Sequence, residues 1–515
     1  MREIELKFLL DEASAKALKA RLRNLEAATG KPSTHTLRST YFDTPDHALK
    51  KANVALRLRR DGRRWIQTVK IGARLHGGLS QVAEVESPAP GGRLNIETIP
   101  DPEVKAEVFR LIGEKQLAPV CETAIRRTGL RISTGEGVAE IAIDIGEIRA
   151  GDRSASLSEA EIELLEGPVG TLFDLAWMLL PEGGLRFSRL PKSARGYLLA
   201  EKGYIEPPLA PREAATVRLD PEQTVEQAAR GMLRECTDQV AANVVVVREL
   251  DDPEGPHQLR IGLRRLRSAL SLFGSALGSA DLQAIGAEAR WLGQEVGRLR
   301  DLDVAVHDLL GPEAAANAGE AGLAALADRL AAQADVERKH LRTLLAGTRV
   351  HGLLIDLVRF VETRGWLDAG DIGQTARLAT PVSDFADAAL RKRWKKVARE
   401  AKQLDTLDVE ARHELRKELK KLRYAVEFLS PLYPEKRIRP FLKRLKSLQD
   451  VFGEANDAEM LQSLLDDASK DWAGDASAQR AIGWAIGTSR ARAQIAWAGV
   501  KRAARDLKDE RPFWK

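Results

Sequence analysis

Two periods divide the chain. Through residue 204 apolar and charged positions alternate in short runs, whereas from Pro221 onward apolar positions return every three to four residues. The opening run, residues 2–8, sets Glu3, Glu5 and Lys7 on one side of a predicted strand and Ile4, Leu6 and Phe8 on the other. An apolar row packs against a core, so the charged row faces either water or a polar cavity, and this strand alone leaves both open. Alternation returns at residues 37–42, ahead of the turn sequence Asp43-Thr44-Pro45-Asp46. Residues 55–59 and 65–70 form a predicted hairpin about Asp61-Gly62, with Arg57 and Arg59 sharing a face of one arm and Thr68 and Lys70 a face of the other. Further runs align Glu84 with Glu86, Arg127 with Arg131, Glu140 with Asp144, and Glu159 with Glu161 and Glu163. Helical spacing is predicted over residues 11–28, 101–112 and 168–180.

A solvated face explains one such strand. Six or more, with charge rows that change sign from strand to strand, predict a closed barrel with a charged interior and helices covering its aliphatic outside. A lumen holding carboxylates and guanidinium groups together is costly to desolvate unless each set is neutralised. A polyanion bridged by divalent cations neutralises both, since Arg and Lys hold phosphate oxygens while carboxylates hold hard cations.

Glu206-Pro207-Pro208-Leu209-Ala210-Pro211 is the clearest boundary, because its prolines favour extended chain. It predicts a β-rich domain over residues 1–204, a linker over 205–218 and an all-α domain over 219–515. That second domain repeats itself at an offset of 156 residues: the segment from His257 to Arg267 lies over that from His413 to Arg423, and Gly297 to Asp303 over Gly453 to Glu459. Repeats of about 219–375 and 376–515 follow. At about 100° per residue each copy carries a leucine stripe, which reads as core, and a basic stripe. The basic stripes are His257, Arg260, Arg264 and Arg267, and His413, Arg416, Lys420 and Arg423. A solvated face is the usual reading of such a stripe; its duplication with the same histidine and the same spacing turns the reading toward a functional face. Residues 391–396 and 437–446 add further basic runs.

Composition narrows the classes. The chain has 515 residues, a net charge of +5 and two distant cysteines, which predict no disulfide framework and a reducing compartment. No apolar signal core opens it, and its longest aliphatic run, residues 244–247, is far short of a membrane span, so a cytoplasmic protein without membrane contact is expected. No P-loop pattern occurs. The histidines lack partners at zinc-ligand spacing, and donation to phosphate, stronger when protonated, is the role open to them. Low aromatic content and the lack of a recognised motif argue against nucleic acid.

The opening Glu3-x-Glu5-x-Lys7, Tyr41 to Asp46, Leu56 to Arg59, Gln67 to Lys70, Asp144 to Glu147, Glu161 to Leu164 and Lys192-Ser-Ala-Arg-Gly-Tyr197 together resemble the CYTH, or triphosphate tunnel metalloenzyme, family. The likeness implies an eight-stranded antiparallel β-tunnel with flanking helices, dependence on Mg²⁺ or Mn²⁺, and hydrolysis of inorganic tripolyphosphate to pyrophosphate and phosphate. It marks Glu3, Glu5, Asp144, Glu161 and Glu163 as metal ligands, with Glu159 or Glu84 assisting. Lys7, Arg57, Arg59, Lys70, Arg127 and Lys192 become the grip on phosphate, and Glu5, Lys7 and Glu163 the catalytic centre. The doubled His-x-x-Arg motif resembles the conserved histidine α-helical, or CHAD, family. That likeness implies two related four-helix bundles that bind long-chain polyphosphate through the basic stripes, and association with polyphosphate granules. The whole is a multidomain α+β protein. The alternative is a polyphosphate-binding protein without turnover.

Overall fold

The alternating runs close on themselves. In the computed structural model, which describes residues 2–25, 30–72, 75–180, 186–404, 407–472 and 474–514, they form β1 (Arg2–Leu9), β2 (Ser33–Asp43), β3 (Val54–Asp61), β4 (Arg64–Ile71), β5 (Leu75–His76), β6 (Leu79–Pro88), β7 (Ala118–Ser133), β8 (Val138–Ala150), β9 (Arg153–Glu166) and β10 (Arg186–Phe187). Antiparallel neighbours run β1-β9-β8-β7-β2-β3-β4-β6, and β6 pairs back onto β1. The eight long strands thus make a closed barrel, with two-residue β5 and β10 attached at its edge. The register sets the charge rows side by side: Lys7 opposite Glu161, Arg127 opposite Asp144, and Lys70 opposite Glu84.

Helices α1 (Glu12–Arg23), α2 (Ala48–Lys51), α3 (Pro102–Ile112), α4 (Gly170–Leu179) and α5 (Lys192–Lys202) flank these strands. The expected helix over 11–28 ends at Arg23, and residues 26–28 lie outside those described. Asp11 caps α1 by accepting from the Ser14 amide, and Asp101 caps α3 ahead of Pro102. One apolar cluster joins Leu49, Val104 and Val108 of α2 and α3 to Leu56 and Val69 of β3 and β4. Another joins Leu199 of α5 to Tyr41, Cys121, Ile125 and Ile148. Close approach there requires Gly196: a Cβ at that position would lie 2.0 Å from the Cys121 sulfur. The turn Asp43-Thr44-Pro45-Asp46 is held by one carboxylate. Asp43 accepts from the amides of Thr44, Leu49 and Lys50 and, at 2.5 Å, from the buried Tyr197 hydroxyl.

Beyond the linker every described element is helical: α6 (Val225–Glu249), α7 (Glu254–Leu277), α8 (Ala280–Asp303), α9 (Gly311–Ala316), α10 (Ala321–Leu345), α11 (Thr348–Glu362), α12 (Ile372–Ala379), α13 (Val382–Glu400), α14 (Val409–Leu429), α15 (Glu435–Asp471), α16 (Ala476–Ala498) and α17 (Val500–Asp509), with short 3₁₀ and π turns between some of them. Both leucine stripes are buried: Leu259, Leu263, Leu266 and Leu270 in α7, and Leu415, Leu419, Leu422 and Val426 in α14. The two cysteines are free and buried. No helix among the described residues is long and apolar enough to cross a membrane.

The chain divides into two compact units, Met1–Ala210 with Ala346–Arg364, and Pro211–Leu345 with Gly365–Lys515. The first unit therefore includes α11, which lies on α4. The Trp177 indole donates to Asp356 at 3.2 Å, Arg359 pairs with Asp174 at 2.6 Å, and the His351 ring meets Trp177 edge-on at 5.9 Å. Gly352 faces the indole so closely that a Cβ would come within 2.4 Å of it.

Candidate functional site

Because neighbouring side chains alternate across a strand, the charged rows of six strands and Lys192 of α5 converge on a cavity of about 660 Å³ in the first unit. Glu3, Glu5 and Lys7 of β1, Arg57 and Arg59 of β3, Lys70 of β4, Glu84 and Glu86 of β6, Arg127 of β7, Glu161 and Glu163 of β9, and Lys192 of α5 all line it. Asp144 does not. It is fully buried behind the wall, held bidentately by Arg127 at 2.8 and 2.7 Å and by Lys192 at 2.8 Å.

Most lining charges are spent on one another. Lys7 pairs with Glu161 and, at 2.8 Å, with Glu5; Lys70 pairs with Glu3; Arg57 reaches Glu84 at 3.3 Å; Lys192 contacts Glu159, Glu161 and Asp144. Burial alone would discharge Lys7 and Arg127, but Glu161, with Glu5 for the first and Asp144 for the second, outweighs it and raises both pKa values well above the ordinary range. Burial likewise favours protonation of Glu161, yet Lys192, Lys7 and Arg127 hold it well below the ordinary carboxylate range.

Besides the exposed Arg2, which bonds Gln81, two lining groups are left over. Arg59 and Glu163 form no ion pair among the described residues. The Arg59 Nε is buried without a hydrogen-bond partner, and burial together with Arg57 and Arg127 brings the pKa down to about 10. Burial, then Glu3 and Glu5, pushes Glu163 up to about 7. Burial also raises Glu5, with Lys7 partly offsetting it. One surplus cation-seeking carboxylate and one surplus anion-seeking guanidinium face the same space.

Carboxylate oxygens of Asp144, Glu159 and Glu161 lie within 4.8 Å of one another. The residue that braces this group, Arg195, was missed by the strand reading. It is fully buried and donates to Glu159 at 2.5 Å and Ser188 at 2.8 Å. Its position one helical turn after Lys192 was the available signal, since both fall on one face of α5.

In the second unit the two motif copies meet. A cavity of about 610 Å³ is lined by His257 and Arg264 of α7 and by Arg416, Lys420 and Arg423 of α14. Arg260, Arg267 and His413 are not among its walls. Arg260 is turned to the second repeated block, bonding Asp301 of α8 at 2.6 Å and the Gly297 carbonyl at 3.1 Å. Burial, then Arg416, Arg264 and Arg260, lowers Lys420 to about 6, against an attraction to Asp457. Burial and Arg300 lower His257 as well. The run at 437–446 supplies Arg439, Lys443 and Lys446 to an adjoining opening of about 870 Å³, which shares Thr216, Ser430 and Leu442 with the first.

Residues 1–197 match the CYTH domain family and residues 231–466 the CHAD domain family. A stretch of 170 residues is 32% identical to the inorganic triphosphatase of Haemophilus influenzae, covering 33% of this chain and 47% of that protein, so the chain spans about half the length of the curated relative it matches. The crystal structure of the CHAD domain from the plant Ricinus communis is similar at a TM-score of 0.51 and 29% identity, over 59% of this chain and 98% of that one.

Proposed function

Because the chain carries a CYTH domain followed by a CHAD domain, we propose that its tunnel hydrolyses inorganic tripolyphosphate to pyrophosphate and phosphate with Mg²⁺ or Mn²⁺, and that its helical unit binds long-chain polyphosphate. The observation that carries the tunnel reading is the charge arrangement: acids and bases interleave around one cavity, with Glu163 and Arg59 left without ion pairs. A binding protein for polyanions would need the bases and gain little from the acids.

The donor set suits a hard divalent cation, being carboxylate oxygens in a site where burial, then the neighbouring Glu3 and Glu5, push Glu163 up to about 7. Glu3, Glu5, Glu161 and Glu163 would hold the cation, joined by Asp144 as Arg127 and Lys192 turn toward phosphate. Such a cation supplies Lewis-acid stabilisation of phosphoryl charge and a more acidic water. Substrate entry then exchanges partners: Lys7, Arg57, Lys70, Arg127 and Lys192 leave carboxylates for phosphate oxygens, while Arg59 joins them at no internal loss. Lys7 steadies the phosphoryl group under attack, Glu5 and Glu163 orient the water and receive its proton, and the arginines hold the charge growing on the departing pyrophosphate.

The test is phosphate release from tripolyphosphate with Mg²⁺, with Mn²⁺ and with EDTA, for the intact chain and for Glu5→Gln. Metal-dependent release that falls about 100-fold or more in the variant is expected. A folded chain that binds tripolyphosphate and releases no phosphate with either metal would replace this reading by binding without turnover.

The polyphosphate reading rests on the basic cavity built from both motif copies. Retention of the chain on immobilised long-chain polyphosphate should weaken in Arg264→Gln/Arg416→Gln while tripolyphosphate turnover holds. Unchanged retention would remove the cavity from the role.

A further inference from the structure

Three lysines of α14 stand within five residues of one another in different surroundings. Lys417 pairs with Glu414 at 2.7 Å and Lys421 with Glu418 at 2.6 Å, ordinary carboxylate-bound ammonium groups at the surface. Lys420, between them in sequence, points instead into the basic cavity, where it forms no ion pair among the described residues. Arg416 from its own helix and Arg264 from α7 share the cavity, Arg260 adds to the positive field and Asp457 of α15 opposes it; Glu213, Asp450 and Glu427 also line the cavity, the last paired with Arg423 and Arg265. The amine therefore has no carboxylate partner among the described residues and is close to groups suited to a phosphate.

We propose that Lys420 is a site of phosphate-guided acylation, in which the cavity arginines seat the phosphate of an acyl phosphate and the lysine amine takes the acyl group. The pairing of parts selects this class of reagent. A phosphate dianion is what guanidinium groups hold best, and in an acyl phosphate the electrophilic carbonyl carbon is joined directly to that phosphate. The nitrogen attacks the carbonyl carbon, the carbon–oxygen bond to phosphorus breaks, and inorganic phosphate leaves with the electron pair and takes up the proton released by nitrogen. The product is a neutral amide, so the modified side chain can no longer take up a proton beside a bound polyanion. Burial and, after it, crowding by like charge support the chemistry, since an amine held near a pKa of about 6 is largely unprotonated at neutral pH. The proposal shares with the polyphosphate reading only the premise that this cavity holds phosphate.

The experiment treats the intact chain with acetyl phosphate at pH 7.5 and follows acetylation of each lysine by peptide mass spectrometry. Lys420 should be modified at least about tenfold faster than Lys417 or Lys421. Arg416→Gln should slow acetylation of Lys420 by acetyl phosphate but not by N-hydroxysuccinimidyl acetate, which carries no phosphate. Equal rates at the three lysines overturn the proposal, as does an equal effect of Arg416→Gln on both reagents. Long-chain polyphosphate should protect Lys420; selective acetylation without protection, in a chain that does not bind polyphosphate, would sink the polyphosphate reading and leave this one standing.

Discussion

At the residue scale, ion pairing separates the groups that hold the tunnel together from those available to a ligand. Arg127 is committed to Asp144 and Glu161, so Arg127→Gln leaves buried carboxylates short of a partner and should cost about 3 kcal/mol of stability in chemical denaturation, besides lowering turnover. Arg59 has no such commitment. Arg59→Gln should raise the KM for tripolyphosphate about tenfold while leaving the unfolding midpoint unchanged or higher, since it removes a buried cation without an anionic partner. If both variants lose stability alike, the distinction fails. The same reasoning gives a pH dependence for the basic cavity. Lys420 sits at about 6 in the free fold and near 10.5 when unfolded. Between those values the unfolded chain binds the extra proton, so this residue makes the fold more stable as pH rises through that window. A bound polyanion restores the proton, so polyphosphate affinity should tighten as pH drops from 8.5 to 6.5, and Lys420→Met should flatten the trend in titration calorimetry. Much of this was legible in sequence: alternation named the tunnel lining, and helical spacing named Lys420. Which lining groups pair was not legible, because it depends on register across strands distant in the chain. Arg195 was passed over for the same reason, its partner Glu159 lying 36 positions away.

At the element scale, alternation located the long strands and missed β5 and β10, because two residues cannot display a period. The repeat was also readable, and the structure gives a reason for its second block: Asp301 bonds Arg260, and Asp457 faces Arg416 and Lys420 at the matching place in the other copy. The attachment of α11 to α4 could not be read from the sequence. An amphipathic pattern states that a face is buried and is silent about what buries it. Gly352 is the sensitive point, since a side chain there meets the Trp177 ring. Gly352→Leu in the intact chain should lower the stability of the first unit by about 1–3 kcal/mol and shift Trp177 fluorescence, whereas breaking the exposed Asp174–Arg359 pair should cost no more than about 1 kcal/mol. Because α4 packs on β1 and β9, which carry Glu3, Glu5, Glu161 and Glu163, loosening it should, if the proposed metal-assisted hydrolysis holds, raise the Mg²⁺ concentration needed for half-maximal rate.

At the scale of the whole molecule, the prolines after Glu206 mark the first boundary between the two units, and the chain returns to the first unit over residues 346–364. A cut at residue 211 takes α11 away and bares the face of α4 that carries Trp177, so a fragment of residues 1–210 should melt below the first unit of the intact chain. Attaching residues 346–364 to that fragment through a flexible linker should recover most of the loss, measured by calorimetry; no recovery would mean that α11 is a passenger on the tunnel unit.

The return of the chain to its first unit also bears on how the protein is made. A ribosome adds roughly 5–20 residues per second, so about 8–30 s separate the synthesis of Ala210 from that of Arg364. During that interval the barrel strands are all present while one helix of their unit is still unmade. The barrel unit is thus finished only after the Pro211–Leu345 part of the second unit has been made, and its early life depends on whatever shields the bare side of α4 in the meantime.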